Sequence, residues 1–223
     1  MALHLLFAGR DAQFEPYRDA VETGLAKAGI NATVAQAIPS ADVDYIIYAP
    51  NSAVQDFTPF TKCKGVLNLW AGVEKVVGNP TLTQPLVRMV DPGLTLGMVN
   101  WVSGHSLRYL LEFDRMTHNP SHVWDDTPPP LAPDWQVTVL GLGALGQACA
   151  TALRTQGFQV AGWSRRAKDI DGVTCYAGAS GLRTALSKAN IVVLLLPDTP
   201  ETENVLNADT LAQMPQGGFI LNP

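Results

Sequence analysis

The sequence has little of what marks several large protein classes. Of 223 residues only three are cysteines (Cys63, Cys149 and Cys175), odd in number, far apart and without CxxC spacing. That excludes a disulfide scaffold and reads as reduced packing thiols in a cytoplasmic protein. Charged residues make up only 16%, and they sum to −5. There is thus no basic surplus to make nucleic acid or an anionic membrane the main partner. No apolar run reaches the roughly 20 residues that cross a bilayer. The opening stretch MALHLLFAGRDAQ has no basic n-region and only a short apolar run, so it reads as a first strand, not a signal peptide. Metal ligands are sparse too. His118 and His122 come closest, but Pro120 between them breaks the helical geometry that would bring them together. No Cys or carboxylate cluster completes a ligand set, and no metal is expected. What remains is 47% hydrophobic, ordinary for a globular chain and long enough for one large or two small domains.

Short apolar runs recur at residues 3–7, 32–37, 45–49, 65–69 and 86–90. Between the first two, Phe14, Tyr17, Val21 and Leu25 fall at helical spacing, and Gly29 stops the helix. Runs apolar on both faces, alternating with crossover segments, predict a parallel sheet covered by helices. Asn68-Leu69-Trp70-Ala71-Gly72-Val73-Glu74 directly follows the fourth run, where open α/β sheets bind ligands. Small Ala71 and Gly72 leave backbone N–H groups accessible to a carboxylate, or simply make a turn. Asp91-Pro92-Gly93 is a breaker and a hinge candidate. Residues 94–117 predict one long helix whose apolar residues cover more than one face, so it is buried on two sides, by core packing or by a second subunit. Residues 125–134, DDTPPPLAPD, form a proline-rich connector.

Residues 135–166, WQVTVLGLGALGQACATALRTQGFQVAGWSRR, read as strand, turn, helix and strand around Gly141-Leu142-Gly143-Ala144-Leu145-Gly146. That context lifts a GxGxxG pattern above chance. The first glycine makes the tight turn, the second lets backbone approach a pyrophosphate, and the third lets helix and strand pack closely. The helix N-terminus adds free N–H groups and a positive dipole end. An NAD site usually carries Asp or Glu about 20 residues past the glycines. Here Ser164, Arg165 and Arg166 stand there, with Arg165 nineteen residues past Gly146. Serine removes a carboxylate that would repel a 2′-phosphate, and arginine supplies a permanently charged fork for it. The reading is NADP(H) rather than NAD(H), the alternative being two solvated loop arginines. Further on come a weak strand at 173–176, a helix at 180–188 and a buried strand at 191–196. Thr199 then looks like an N-cap with Pro200 at the first helical position, followed by a helix at 207–214 and a last strand at 218–222.

Together these segments resemble the D-2-hydroxyacid dehydrogenase family, in particular its glyoxylate/hydroxypyruvate reductase branch. The carriers are NLWAGVE at 68–74, LVRMVDPGLTLGMVNWV at 86–102, VLGLGALG at 139–146, GWSRR at 162–166 and LLLPDTPETENVLN at 194–207. The resemblance implies an α/β protein of two parts, a flavodoxin-like substrate domain (1–91) and a Rossmann doubly wound NADP-binding domain (135–223). An interdomain and dimer helix with its connector (92–134) would join them. It further implies NADPH-dependent reduction of a small 2-keto acid to the D-2-hydroxy acid, in a homodimer. Backbone amides of Ala71, Gly72 and Val73 would hold the substrate carboxylate, and Tyr48 would line the substrate pocket or pack in the core. Met98, Leu221 and Asn222 would lie near the nicotinamide, and Pro197 and Thr202 would flank the cofactor.

One departure accompanies these matches. In the family, a segment like GGFILNP runs on to an arginine that grips the substrate, then to a glutamate and a histidine paired as general acid. This sequence reaches Pro223, the last residue of that segment, so the resemblance places the catalytic arginine, glutamate and histidine beyond Pro223. The Rossmann sheet is expected to end at its fifth strand. His4, His105, His118 and His122 do not occupy the matching motif, so no catalytic residue is identifiable. The alternative reading is a non-catalytic NADP-binding remnant. A shortened chain would also leave residues 219–221 as an unpaired apolar edge, which invites self-association.

Overall fold

The computed structural model describes residues 2–118 and 120–223. The chain divides into two compact units, residues 1–90 and 91–223. The segment set apart in the sequence at 92–134 packs within the second unit, where its helix lies against the glycine-turn helix.

The first unit runs β1 (Leu3–Ala8), α1 (Asp11–Lys27), β2 (Ala32–Ala35), β3 (Tyr45–Tyr48), β4 (Val66–Asn68) and β5 (Leu86–Val87). All neighbouring strands are parallel, in the order β2-β1-β3-β4-β5. That is the flavodoxin-like order, with its switch point between β1 and β3. Strand residues alternate between two apolar clusters, as a period of two requires. Leu6, Ala8, Ile46, Tyr48 and Val66 pack with Phe57, Phe60 and Val76. Leu5, Phe7 and Ile47 pack with Val34 and with Phe14, Val21 and Leu25 of α1. Gly29, at φ +67°, ends that helix in the left-handed conformation.

Asp44 ties down the amino ends of these strands. Its carboxylate is buried, accepts the His4 N–H at 3.0 Å, and pairs with the Lys62 and Lys64 ammonium groups at 3.4 Å each. The His4 N–H first, and the two lysines after it, hold the acid's pKa below its ordinary value, against the opposing cost of burial.

The second unit opens with α2 (Pro92–Leu110) and α3 (Phe113–Thr117). There follow β6 (Gln136–Leu140), α4 (Ala144–Thr155), β7 (Gln159–Ser164), β8 (Thr174–Ala177), α5 (Gly178–Leu186), β9 (Ile191–Leu194), α6 (Ala208–Leu211) and β10 (Phe219–Leu221). The strands are again parallel, in the order β10-β9-β6-β7-β8. Counted within the unit this is 3-2-1-4-5 reversed end for end, the doubly wound Rossmann order over five strands. Val137, Val139, Ile191, Val193 and Leu153 form the core with Val102 and Leu110 of α2. At the edge, Phe219 of β10 stacks on Tyr109 with ring centroids 4.1 Å apart.

Three elements depart from the sequence reading. The single helix expected over 94–117 is two, because Glu112 adopts a left-handed φ of +52° between α2 and α3. Arg108 reaches across the break to Asp114 at 2.9 Å, an ion pair that does not require a continuous helix. α2 is also buried along one stripe (Val102, Ser103, Ser106 and Leu110) and not on two sides within its unit. The helix expected to start at Thr199 is only a turn. There the Thr199 N–H donates to the Thr202 hydroxyl at 3.1 Å, and that hydroxyl bonds the Pro197 carbonyl. The threonine expected as a cap is thus itself held. The true cap lies later, where Asn207 accepts the Asp209 and Thr210 N–H groups at 3.0 and 3.1 Å and starts α6. Asn119, inside the His118–His122 segment, lies outside the described residues.

Candidate functional site

The glycine turn joins β6 to α4 at the carboxyl end of the second sheet. Its three glycines are needed for different reasons. Gly141 has φ +103°, and a β-carbon there would collide with the Leu195 carbonyl. At Gly146 a β-carbon would run into the Gly141 carbonyl, so no other residue lets α4 sit this close to the turn. Gly143 differs, since nothing lies within 4 Å of where its β-carbon would be. Its space is open toward solvent, as a turn that admits a ligand to its backbone requires. Gly143 offers α4 no side-chain cap, and the first bond into the helix is Gln147 N–H to the Gly143 carbonyl at 2.9 Å. The N–H groups of Ala144, Leu145 and Gly146 therefore have no acceptor among the described residues. They leave a helix terminus with open donors, the arrangement that suits an anion.

Two supports of this turn were not read from the sequence. Leu142 is buried and fills the space left by Gly162, where a β-carbon would lie 2.6 Å from it. Gln147 donates its side-chain amide to the Leu142 carbonyl at 3.0 Å. A glycine inside a strand facing the motif was the one available signal for the first.

Ser164 ends β7, and its hydroxyl donates to the Arg166 carbonyl at 2.7 Å, folding the chain back at the strand end. Arg165 and Arg166 are exposed and form no ion pair among the described residues. Glu201, from the loop after β9, has its pKa held below the ordinary value, first by its own backbone N–H, then by the Thr199 hydroxyl, and least by the charge of Arg165. Pro197 is exposed, while Thr202 is half-buried and braces that loop. Leu221 is buried in the core beside β9, and Asn222 and Pro223 follow it, both exposed and outside β10. Met98, on α2, packs against the same apolar cluster as Leu221.

In the first unit the loop after β4 is organised by Asn68. This side chain is 4% exposed, and its Nδ2 donates to the Trp70 carbonyl at 2.7 Å and the Gly72 carbonyl at 2.9 Å. No described residue accepts from the N–H of Ala71, Gly72 or Val73. The Glu74 carboxylate lies over Gly72, in space a β-carbon would take. Tyr48 is 2% exposed, set edge-on against Phe57 at 5.3 Å, with its hydroxyl accepting from Gln55 at 3.4 Å. Burial pushes its pKa above the ordinary value. Of the two roles open to it in the sequence, it takes core packing.

The histidines are scattered. His4 lies on β1, with its Nδ1 buried and without a partner, at the opposite strand ends from the loop at 71–73. His105 lies against Trp101 on α2, ring centroids 4.2 Å apart and the planes tilted by 45°. Pro223 itself carries no group that could donate a proton. Among the described residues no three His, Cys, Asp or Glu side chains gather into a metal site. No helix of the described residues is long and apolar enough to cross a membrane.

Comparison with known proteins adds the following. The family profile described as D-isomer specific 2-hydroxyacid dehydrogenase, NAD binding domain, matches residues 105–223. Glyoxylate/hydroxypyruvate reductase A of Yersinia enterocolitica is 34% identical over 167 residues, 71% of this chain and 53% of that protein. The corresponding reductase of Serratia proteamaculans is 32% identical over 169 residues, 72% of this chain and 54% of that protein. The chain thus spans about half the length of the curated relatives it matches. A D-isomer specific 2-hydroxyacid dehydrogenase of Xanthobacter autotrophicus, solved with NADPH and MES, superposes with a TM-score of 0.86 at 32% identity, over 100% of this chain and 72% of that one. The NADPH-dependent glyoxylate/hydroxypyruvate reductase of Sinorhizobium meliloti, solved with NADP and sulfate, gives 0.77 at 32% identity, over 99% and 72%.

Proposed function

Because the chain belongs to the D-isomer specific 2-hydroxyacid dehydrogenase family, we propose that it binds NADP(H) and reduces a small 2-keto acid of the glyoxylate or hydroxypyruvate type to the D-2-hydroxy acid. One observation carries the cofactor choice: Ser164 ends β7, with Arg165 and Arg166 directly after it, and β7 pairs with β6, the strand that leads into the turn and the open N–H terminus of α4. The pyrophosphate takes the turn Gly141-Leu142-Gly143-Ala144-Leu145-Gly146, and the 2′-phosphate takes the arginines, beside Ser164, which puts no carboxylate there to repel it. Pro197, Thr202, Leu221, Asn222 and Met98 flank the rest of the cofactor. The free N–H groups of Ala71, Gly72 and Val73 take the substrate carboxylate, and Tyr48 supports that site from the core. Bound NADPH supplies the hydride. The keto oxygen must gain a proton as the carbon gains hydride, and no residue up to Pro223 is assigned that task.

The exposed apolar residues of α2, Leu96 at 61% and Trp101 at 39%, support a homodimer. Three free cysteines support a reducing compartment such as the cytoplasm. A second reading, NADP(H) binding without turnover, is favoured by His4, which lies at the opposite strand ends from the loop at 71–73 and does not serve it.

Titration with NADPH and NADH, followed by NADPH oxidation with glyoxylate and with hydroxypyruvate, tests this. Arg165→Ala should weaken NADPH about tenfold, ~1.4 kcal/mol, and leave NADH unchanged. Turnover with either keto acid supports the reductase, and binding without turnover supports the second reading. Failure to bind NADPH overturns both.

A further inference from the structure

Asn68 is a polar side chain at the end of a buried strand, and burying an amide costs free energy unless its groups are bonded. Both hydrogen bonds of its Nδ2 run to carbonyls of the following loop, Trp70 at 2.7 Å and Gly72 at 2.9 Å. Its Oδ1 is buried with no partner. Flipping the amide would aim that oxygen at the two carbonyls, so the orientation is fixed by them. The arrangement leaves one acceptor unbonded in order to hold two peptide groups.

Those two peptides belong to the donors of the carboxylate site. In a trans peptide the N–H of one residue points opposite to the carbonyl of the residue before it, and the chain has no cis bond among the described residues. The Trp70 carbonyl shares its peptide with the Ala71 N–H, and the Gly72 carbonyl with the Val73 N–H. With both carbonyls turned in to a buried amide, both N–H groups are turned away from it, toward the outer side of the loop. Neither has an acceptor among the described residues.

We infer that Asn68 is a positioning residue for substrate, holding the Ala71 and Val73 amides outward to receive a carboxylate. The inference rests on the reading of this loop as the substrate carboxylate site. Asn68 touches no substrate itself. It acts through two peptide groups: the Gly72 carbonyl has no other donor among the described residues, and the Trp70 carbonyl has only the longer bond from the Met89 N–H at 3.4 Å. Its effect falls on carboxylate affinity and not on the cofactor.

The test is glyoxylate titration of the whole chain saturated with the oxidised cofactor NADP+, which cannot reduce it, followed by backbone amide resonances, for the unsubstituted protein, Asn68→Ala and Asn68→Ser. In the unsubstituted chain the Ala71 and Val73 amides should shift on titration. Asn68→Ala should raise the glyoxylate Kd at least tenfold, Asn68→Ser, which keeps one donor, should fall between, and the NADPH Kd should stay within twofold for both. A merely structural role would not order the variants by donor number at constant NADPH affinity. If Asn68→Ala fails to fold, Asn68→Ser alone carries the comparison. Unchanged glyoxylate Kd in the variants overturns the role of Asn68 while leaving the carboxylate site standing. Absence of any shift at 71–73 in the unsubstituted chain overturns the site and this inference together.

Discussion

A methyl group added to each glycine of the turn meets a different fate, which separates folding from binding at single residues. Gly146→Ala drives carbon into the Gly141 carbonyl and should cost about 1–3 kcal/mol or more in stability, read by denaturant unfolding. Gly143→Ala meets nothing and should cost under about 1 kcal/mol, yet weaken NADPH at least about tenfold by standing where phosphate approaches. The reverse pattern would mean the open space at Gly143 is not a ligand path. This residue-level logic was legible in the sequence, because glycine spacing reports backbone geometry directly. Asn68 was not. In the sequence it is only the first letter of a motif, and its role depends on two carbonyls that the chain brings back within a few residues. Tyr48 was ambiguous for a related reason: an aromatic at a strand end fits a pocket or a core equally well until its neighbour Phe57, nine residues on, is placed against it.

At the scale of elements, the strands declared themselves by apolar runs, and the structure mainly trims them: 32–37 becomes Ala32–Ala35 and 86–90 becomes Leu86–Val87. The trimmed ends point the chain into loops, where apolar residues such as Val90 remain exposed. Helix ends were harder. Nothing in the propensities of Leu111-Glu112 forbids a helix, yet Glu112 takes the left-handed conformation and separates α2 from α3. Likewise Thr199 has the composition of a cap, but the Thr202 hydroxyl binds Pro197 and holds the loop as a turn. α2 itself leaves Leu96 and Trp101 exposed while Val102 and Leu110 are buried. Leu96→Glu combined with Trp101→Glu should therefore shift sedimentation toward a monomer without lowering the melting temperature of the NADPH-bound chain. A chain already monomeric before substitution would remove that role from α2.

Across the whole molecule, acid should act unevenly. Asp44 has its pKa held below the ordinary 3.8, so the folded state resists protonating it. Its stabilising contribution is complete above that ordinary value and is lost as pH falls through the lower folded value. Melting temperatures should show the native chain above Asp44→Asn at pH 6, with the gap closing toward pH 3. A gap independent of pH would mean the lysines and the His4 amide contribute nothing through charge. The two parallel sheets also set an order in time. Gly141 is walled by the backbone of Leu195, and the Leu195 N–H bonds the Leu140 carbonyl at 2.8 Å. The phosphate turn is thus encoded at one place and enclosed by another, more than fifty residues later in synthesis. A nascent chain that has just emitted residues 135–166 carries every letter of the dinucleotide motif and none of its wall. It becomes competent to hold a nucleotide only once β9 has left the ribosome and inserted beside β6.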